Sequence, residues 1–366
     1  MKCNIICNFA TPKVIVEMIK DINRDNIRMF EALIEGVSDI AIVTHMKPDG
    51  DAIGSSVAMF RYLAGRSRKA RIILNDPAPA YLSFLLTEDV RNSINTYNEN
   101  PKEAIEAINS SSLVICLDFN AFHRTDNLEE ALSESKARKI LIDHHLNPDR
   151  EKFDLIFSET EISSASELTY HILMATETVS GDASRLPMGC AEALMTGMTT
   201  DTNNFANSVF PSTLHMASDL LAAGVDRDAI LSNLYNQYSE SRLRLMGHMM
   251  RDLMKITDDG VAYIVLDKET QEKYSVAEGD TEGFVNMPLS IARVRMSLLL
   301  KEDGNRIRVS IRSKRGTSAN MCARLHFNGG GHENAAGGRL NMPADITSIA
   351  EAAEYIERHT HEFFRS

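Results

Sequence analysis

The sequence predicts an α/β protein in which a domain built on a doubly wound parallel sheet is joined by a helical linker to a smaller α+β domain. Three observations carry this expectation. Four short, nearly continuous apolar runs rich in β-branched residues, Asp39–Thr44, Arg71–Leu74, Leu113–Leu117 and Lys139–Ile142, have the pattern of strands buried on both faces of a parallel sheet. Helix-like stretches such as Ala52–Gly65 and Asp126–Ser135 lie between them, which is the alternation of a doubly wound fold. Beyond Asp258-Asp259-Gly260 the pattern changes to the alternating runs Val261–Leu266 and Arg306–Ile311, followed by the glycine-rich Asn328–Gly338.

Taken in order, these elements predict an N-terminal extension over 1–24, a first domain over 25–228, a helical linker over 229–257 and a second domain over 258–366. Within the first domain, Pro187–Gly197 reads as a helix that breaks at Thr199-Thr200-Asp201. In the linker, Ser241–Ile256 carries Met246, Met249, Met250, Leu253 and Met254 at helical spacing, a stripe expected for packing rather than for a cofactor.

The 366 residues suffice for two domains with separate cores, and 43% hydrophobic with 25% charged residues is an ordinary globular composition. No apolar run approaches the ~20 residues that span a bilayer, so no membrane partner is expected. Met1–Ala10 lacks the apolar core and cleavage site of a signal peptide and reads as an irregular extension, which places the expected location in the cytoplasm. The five cysteines, Cys3, Cys7, Cys116, Cys190 and Cys322, form no CxxC pair and fit reduced thiols.

Net charge of −12 argues against a protein that tracks long DNA or RNA. The charge is unevenly placed. Between Arg293 and Arg324, nine Lys and Arg face two acids, a surplus of seven positives, so the remainder carries −19. An acidic, metal-rich half and a basic, anion-binding half would produce this division.

Three of the four strand-like runs end in residues able to ligate a metal. His45, Asp49 and Asp51 follow Thr44, Asp118 follows Leu117, and Asp143-His144-His145 follows Ile142; Asp201 lies beyond the Pro187–Gly197 helix. In an open parallel sheet the ligand site lies at the carboxyl ends of the strands, so these groups are expected around one point. A lone Asp or His at a strand end is ordinarily a cap or a surface group; several such groups on separate strands are not explained that way. So many carboxylates would repel one another without cations. Oxygen and imidazole donors without cysteine suit Mn²⁺, Mg²⁺, Fe²⁺ or Co²⁺. Two such ions ~3.5–4 Å apart can clamp both sides of an in-line phosphoryl displacement.

These residues resemble the motifs of the DHH phosphoesterase superfamily. His45-Met-Lys-Pro-Asp49-Gly-Asp51-Ala-Ile-Gly-Ser55, Asp118 with Arg124-Thr125, Asp143-His144-His145 and Asp201-Thr202 occur in the family's order. Gly329-Gly330-Gly331-His332-Glu-Asn-Ala-Ala-Gly337 is similar to the signature of the DHHA1 domain, and the resemblance spans about residues 25–360. Asp280–Asn286 resembles the subgroup of stand-alone oligoribonuclease and pAp-phosphatase proteins. The resemblance implies one metal held by His45, Asp49 and Asp118, and a second held by Asp51, Asp118, His144 and Asp201, with Asp118 bridging and Mn²⁺ the expected ion. It implies that His145 lies beside the phosphate as a proton donor or oxyanion partner and that Asp143 orients a ligand. Arg124 would join the substrate-binding residues. Two departures stand out: Asn203 replaces the usual glycine, and Phe119-Asn120 replaces a smaller polar pair.

In the second domain, the amides of Gly329, Gly330 and Gly331 are expected to form an anion-binding nest, with His332 beside it and Arg312-Ser313 supplying a forked donor and a hydroxyl. The resulting expectation is a two-metal phosphoesterase for a short nucleotide such as pApA or pAp, with a homodimer one assembly open to it. The competing readings are a polyphosphate or pyrophosphate hydrolase, a cyclic-dinucleotide phosphodiesterase, and a non-catalytic RNA-binding module.

Overall fold

Each apolar run of the first half becomes a strand, and the six strands of that half form one parallel sheet. The computed structural model describes residues 22–236, 238–277 and 279–365. The extension expected over 1–24 therefore lies largely outside the described residues. Contacts divide the chain into two compact units, Met1–Gln237 and Tyr238–Ser366.

The sheet of the first unit comprises β1 (Asp39–Thr44), β2 (Lys69–Leu74), β3 (Ile94–Thr96), β4 (Leu113–Leu117), β5 (Arg138–Asp143) and β6 (Leu155–Ser158). Their order is β3-β2-β1-β4-β5-β6, so the winding reverses between β1 and β4. Alternate residues feed two cores. Ile40, Ile42, Ile115 and Ile142 face one side, and Ala41, Val43, Cys116 and Leu141 the other. Short β3 and β6 at the edges were not distinguished in the sequence, because three or four residues carry too little pattern.

Helices α1 (Arg24–Glu35), α2 (Gly50–Gly65), α3 (Pro101–Ser110), α4 (Ala165–Ala175), α5 (Cys190–Asp201), α6 (Pro211–Ala222) and α7 (Arg227–Tyr235) belong to this unit. Two sequence expectations change here. The stretch expected as a helix over Asp126–Ser135 is a 3₁₀ turn, Phe122–Leu128, followed by one short helix, Glu129–Glu134. The break expected before Asp201 does not occur: α5 runs through Thr199-Thr200 and ends on Asp201 itself, its Thr side chains bonding back to carbonyls one turn earlier.

In the second unit, β7 (Lys255–Ile256), β8 (Val261–Leu266), β9 (Met296–Asp303), β10 (Arg306–Ser313), β11 (Gly330–Gly331) and β12 (Ala335–Asn341) form a mixed sheet ordered β11-β12-β10-β9-β8-β7. One face buries Tyr263, Leu298, Ile307 and Ile311 beneath Phe327 and Ile356, supplied by the end of α9 (Ala319–His326) and by α10 (Ala352–Arg365). Its other face buries Ile264, Leu266 and Leu299 against Leu245 and Met249. The expected linker thus divides: α7 packs into the first unit through Ile230 and Leu234, and α8 (Glu240–His248) packs into the second. The helix expected over Ser241–Ile256 stops at His248, widens into a π turn over Met249–Leu253 and enters β7. Its methionines pack on the sheet, as their spacing suggested.

Candidate metal centre

Parallel register builds the site. Thr44 pairs with Leu117, and Leu117 with Ile142, so the next residue on each strand, His45, Asp118 and Asp143, falls in one row at the point where the winding reverses. Asp118 stands there at φ +64°, in the left-handed region that costs a non-glycine residue energy and that Asp tolerates better than most.

Around this row the structure brings two triads together: His45 with Asp49 and Asp118, and Asp51 with His144 and Asp201, each with ligand atoms within 4.8 Å of one another. His45 Nε2 lies 3.4 Å from Asp118 Oδ2 and 3.9 Å from Asp49 Oδ1. His144 Nε2 lies 3.4 Å from Asp118 Oδ1, 3.7 Å from Asp201 Oδ2 and 4.0 Å from Asp51 Oδ2. Asp118 thus presents one oxygen to each triad.

Each donor is aimed by a specific contact. The His45 Nδ1 is 2.8 Å from the Met46 carbonyl, so it donates there and turns Nε2 toward Asp118, the nitrogen free to ligate once a cation displaces its proton. Asp49 caps α2, accepting from the amides of Asp51 and Ala52. Asp51 is fully buried and accepts from the amides of Ala165 and Ser166 at 2.6 and 2.9 Å, the amino end of α4. The chain after β1 is pinned from below, where Asp76 Oδ2 accepts from the Lys47 amide at 2.7 Å. Nothing in the sequence singled out Asp76, Ala165 or Ser166: the first lies two residues beyond an apolar run, and the other two act through amides that every residue but proline has.

Asp143 does not face His144. Its Oδ1 accepts from His145 Nδ1 at 2.7 Å and its Oδ2 from the His145 amide, so it orients His145. His145 Nδ1 is also 3.8 Å from Asp118 Oδ1. Arg124 sits on the 3₁₀ turn, half-buried, its carbonyl accepting from the Met46 amide at 2.8 Å and so closing the turn onto the loop that carries His45. Asn203 has φ +47°, so it occupies a left-handed position where glycine or asparagine serves. Phe119 is fully buried, and the Asn120 side chain donates to the Leu146 carbonyl, supporting the loop after His145.

The electrostatics fit a cation-binding cluster. Burial alone would lower the His45 and His144 pKa values, but Asp118 outweighs it, and the rings are raised to about 9 and about 10. Asp118 is held well below the usual carboxylate range, its burial overcome by the two imidazoles. Asp51 is pushed well up by burial and then by Asp118 and Asp201, and Asp201 rises to about 7, chiefly through burial. Without a cation, protons take its place: two rings hold them as positive charge, and two acids are held toward their neutral form. A buried Asp118 Oδ1 has no hydrogen-bond partner, an expensive condition for a carboxylate oxygen unless a cation satisfies it. Oxygen-rich triads that meet at the one Asp118 carboxylate fit divalent metal ions.

In the second unit, register places Arg312 opposite Ala335, and the His332 amide donates to the Ala335 carbonyl, so Arg312 and His332 share one end of the sheet. The Arg312 Nη1 donates to the carbonyls of Ile311 and Ala336 at 3.0 and 3.3 Å; burial lowers its pKa. Ser313 donates to the Thr317 carbonyl and accepts from Asn334, so its hydroxyl is occupied. The expected nest needs correction. The amide of Gly329 donates to the Ala323 carbonyl and that of Gly331 to Asn320 Oδ1. These glycines serve close packing: a Cβ at Gly329 would lie 1.9 Å from the Gly337 carbonyl oxygen, and one at Gly331 2.6 Å from that of Ala335.

The model of the DHH family, N-terminal domain, matches residues 39–198, and that of the DHHA1 domain matches residues 258–358. The bifunctional oligoribonuclease and PAP phosphatase NrnA of Bacillus subtilis is 27% identical over 305 residues, covering 82% of this chain and 89% of that one. The protein of the same name from Thermus thermophilus is 29% identical, covering 86% and 89%. A crystal structure of an exopolyphosphatase-related protein from Bacteroides fragilis superposes with a TM-score of 0.86 at 36% identity, covering 93% of this chain and 97% of that chain.

Proposed function

The chain belongs to the DHH family and carries a DHHA1 domain, a phosphoesterase hydrolase, and from that premise we propose that it hydrolyses short oligoribonucleotides such as pApA, the 3′-phosphate of pAp, or both. The observation that carries the reading is Asp118, whose two oxygens serve two triads and whose Oδ1 lacks a hydrogen bond. The similarity to oligoribonuclease and PAP phosphatase proteins over more than four fifths of the chain supports the substrate class.

His45, Asp49 and Asp118 would hold one divalent ion, and Asp51, Asp118, His144 and Asp201 the other, with Mn²⁺ favoured by the mixed imidazole and carboxylate donors. Such ions, when bound, stabilise charge on a phosphoryl group and lower the pKa of a bound water. The chain's own residues do the rest. Asp51, fixed by two helix-end amides, and His45, fixed through Met46, hold the donors in place with little reorganisation. His145, oriented by Asp143, is placed to give a proton to the departing oxygen or to bond the phosphate. Arg124, Arg312, Gly330 and His332 are proposed to bind substrate, supported by Ser313, Gly329 and Gly331, whose hydroxyl and amides are bonded within the unit. Arg312 supplies the charge, and the glycines set the backbone path that leads to His332.

The exopolyphosphatase-related relative favours one competing reading, hydrolysis of inorganic polyphosphate. Chelator-stripped protein, resupplied with Mn²⁺, should be offered pApA, pAp, short RNA, a cyclic dinucleotide and polyphosphate. We expect fastest turnover of pApA or pAp and none without metal; fastest turnover of polyphosphate would overturn the nucleotide reading.

A further inference from the structure

Helix α9 ends on His326, and α10 carries His359 and Glu362 three residues apart on one face. The Tyr355 hydroxyl donates to the His326 carbonyl at 2.9 Å and locks the two helices in register. As a result His326 Nδ1 and His359 Nδ1 stand 3.2 Å apart, and His359 Nδ1 and Glu362 Oε2 3.3 Å apart. All three donor atoms lie within 4.8 Å of one another. We propose that His326, His359 and Glu362 form an additional transition-metal site in the C-terminal unit, on residues that play no part in the acid-rich centre.

The distances carry this. An ion bound to nitrogen or oxygen at about 2.0–2.1 Å in tetrahedral geometry sets neighbouring ligands about 3.3 Å apart, the spacing of both observed pairs. Two imidazole nitrogens facing each other can share one proton at most; a cation is the other way to satisfy both lone pairs. Burial first, and then His359, lowers the His326 pKa; burial first, and then the Arg358 guanidinium, lowers that of His359. Both shifts favour the neutral ring that ligation requires. The groups around the pair are Tyr355, whose ring centroid is 4.1 Å from that of His359, Phe363 edge-on to His326, and Arg358, whose Nη2 is 3.3 Å from His359 Nε2. Ligation at Nδ1 puts the ring proton on Nε2, and the exposed Arg358 side chain then turns to solvent. Two nitrogens and one carboxylate select Zn²⁺, Co²⁺, Ni²⁺ or Cu²⁺ over Mg²⁺, and three protein ligands leave a position for water. The site would staple the end of α9 to α10 just ahead of the buried Phe327 and of Gly329, and so stiffen the approach to the glycine segment.

Chelator-stripped full-length protein should be dialysed against micromolar Zn²⁺ with millimolar Mg²⁺ present, and bound zinc counted for wild type, His359→Ala and Glu362→Gln. His359→Ala should retain one equivalent less than wild type. Glu362→Gln should weaken that equivalent by at least roughly ten-fold while hydrolysis in Mn²⁺ is unchanged. Circular dichroism of each metal-free variant checks the fold, and Glu362→Gln decides if His359→Ala does not fold. Equal zinc content and affinity in all folded proteins would overturn the site and leave a hydrogen-bonded imidazole pair.

Discussion

Asp118 is the residue on which most of the site's chemistry turns. It is buried, its φ is +64°, and both of its oxygens lie 3.4 Å from an imidazole nitrogen of a different triad. Asp118→Asn keeps the shape and removes the charge. Hydrolysis should fall to no more than a few per cent of wild type while circular dichroism and melting stay close to it. A variant with most of its activity would show that the two triads do not act through this carboxylate. The imidazoles make a second prediction. His45 and His144 are raised to about 9 and about 10, so below those values each ring holds a proton that a cation must displace. Metal affinity should therefore weaken as pH falls. The Mn²⁺ concentration for half-maximal activity should keep falling as pH rises toward about 9, with protons released on binding that calorimetry in two buffers can count. A flat dependence would mean that metal does not replace those protons. Residue type together with position at the ends of separate strand runs made Asp118, His45 and His144 legible as candidates. It did not make legible that Asp143 serves His145, because the direction of a side chain at a strand end depends on its neighbours.

Between elements, the decisive contact is α2 against α5. Glycines make it close: a Cβ on Gly54 would lie 2.6 Å from the Ala193 carbonyl oxygen and 2.8 Å from the Gly197 amide nitrogen, both backbone atoms that cannot turn aside. One on Gly197 would lie 2.9 Å from Asp51 Oδ1. Asp51 opens α2 and Asp201 closes α5, so the separation of these helices sets the distance between two members of one triad. Gly54→Ala should force the helices apart at a cost of about 1–3 kcal/mol. That would lower the melting temperature by several degrees and, by widening the triad, reduce Mn²⁺ affinity as well. Wild-type melting and metal affinity in this variant would contradict the close packing. The amphipathic helices and apolar strands could be read in advance because periodicity is local. The glycines could not, because what a missing Cβ makes room for lies more than a hundred residues away in the chain.

For the whole molecule, the division of labour between units is tested by substrate choice. If the first unit carries the chemistry and Arg312 holds the substrate, Arg312→Ala should impair cleavage of pApA or pAp by roughly ten- to a hundred-fold, the worth of one charge-assisted contact. It should leave bis-p-nitrophenyl phosphate, which has no second phosphate to hold, almost untouched. Equal losses on both substrates would place Arg312 in support of the fold, a role its bonds to the Ile311 and Ala336 carbonyls could also serve. The sequence by itself determined the strand runs, the acidic and basic halves, and the set of ligating residue types at strand ends. These follow from local composition, which burial and backbone geometry constrain directly. Only the tertiary structure decided that parallel register aligns His45, Asp118 and Asp143 in one row, and that the amino end of α4 holds Asp51. It also decided that the triple glycine spends two of its amides on the protein itself, and that His326 meets His359. Each of these depends on atoms distant in the chain meeting within a few ångströms. Such meetings are set by the packing of whole elements, which no local pattern records.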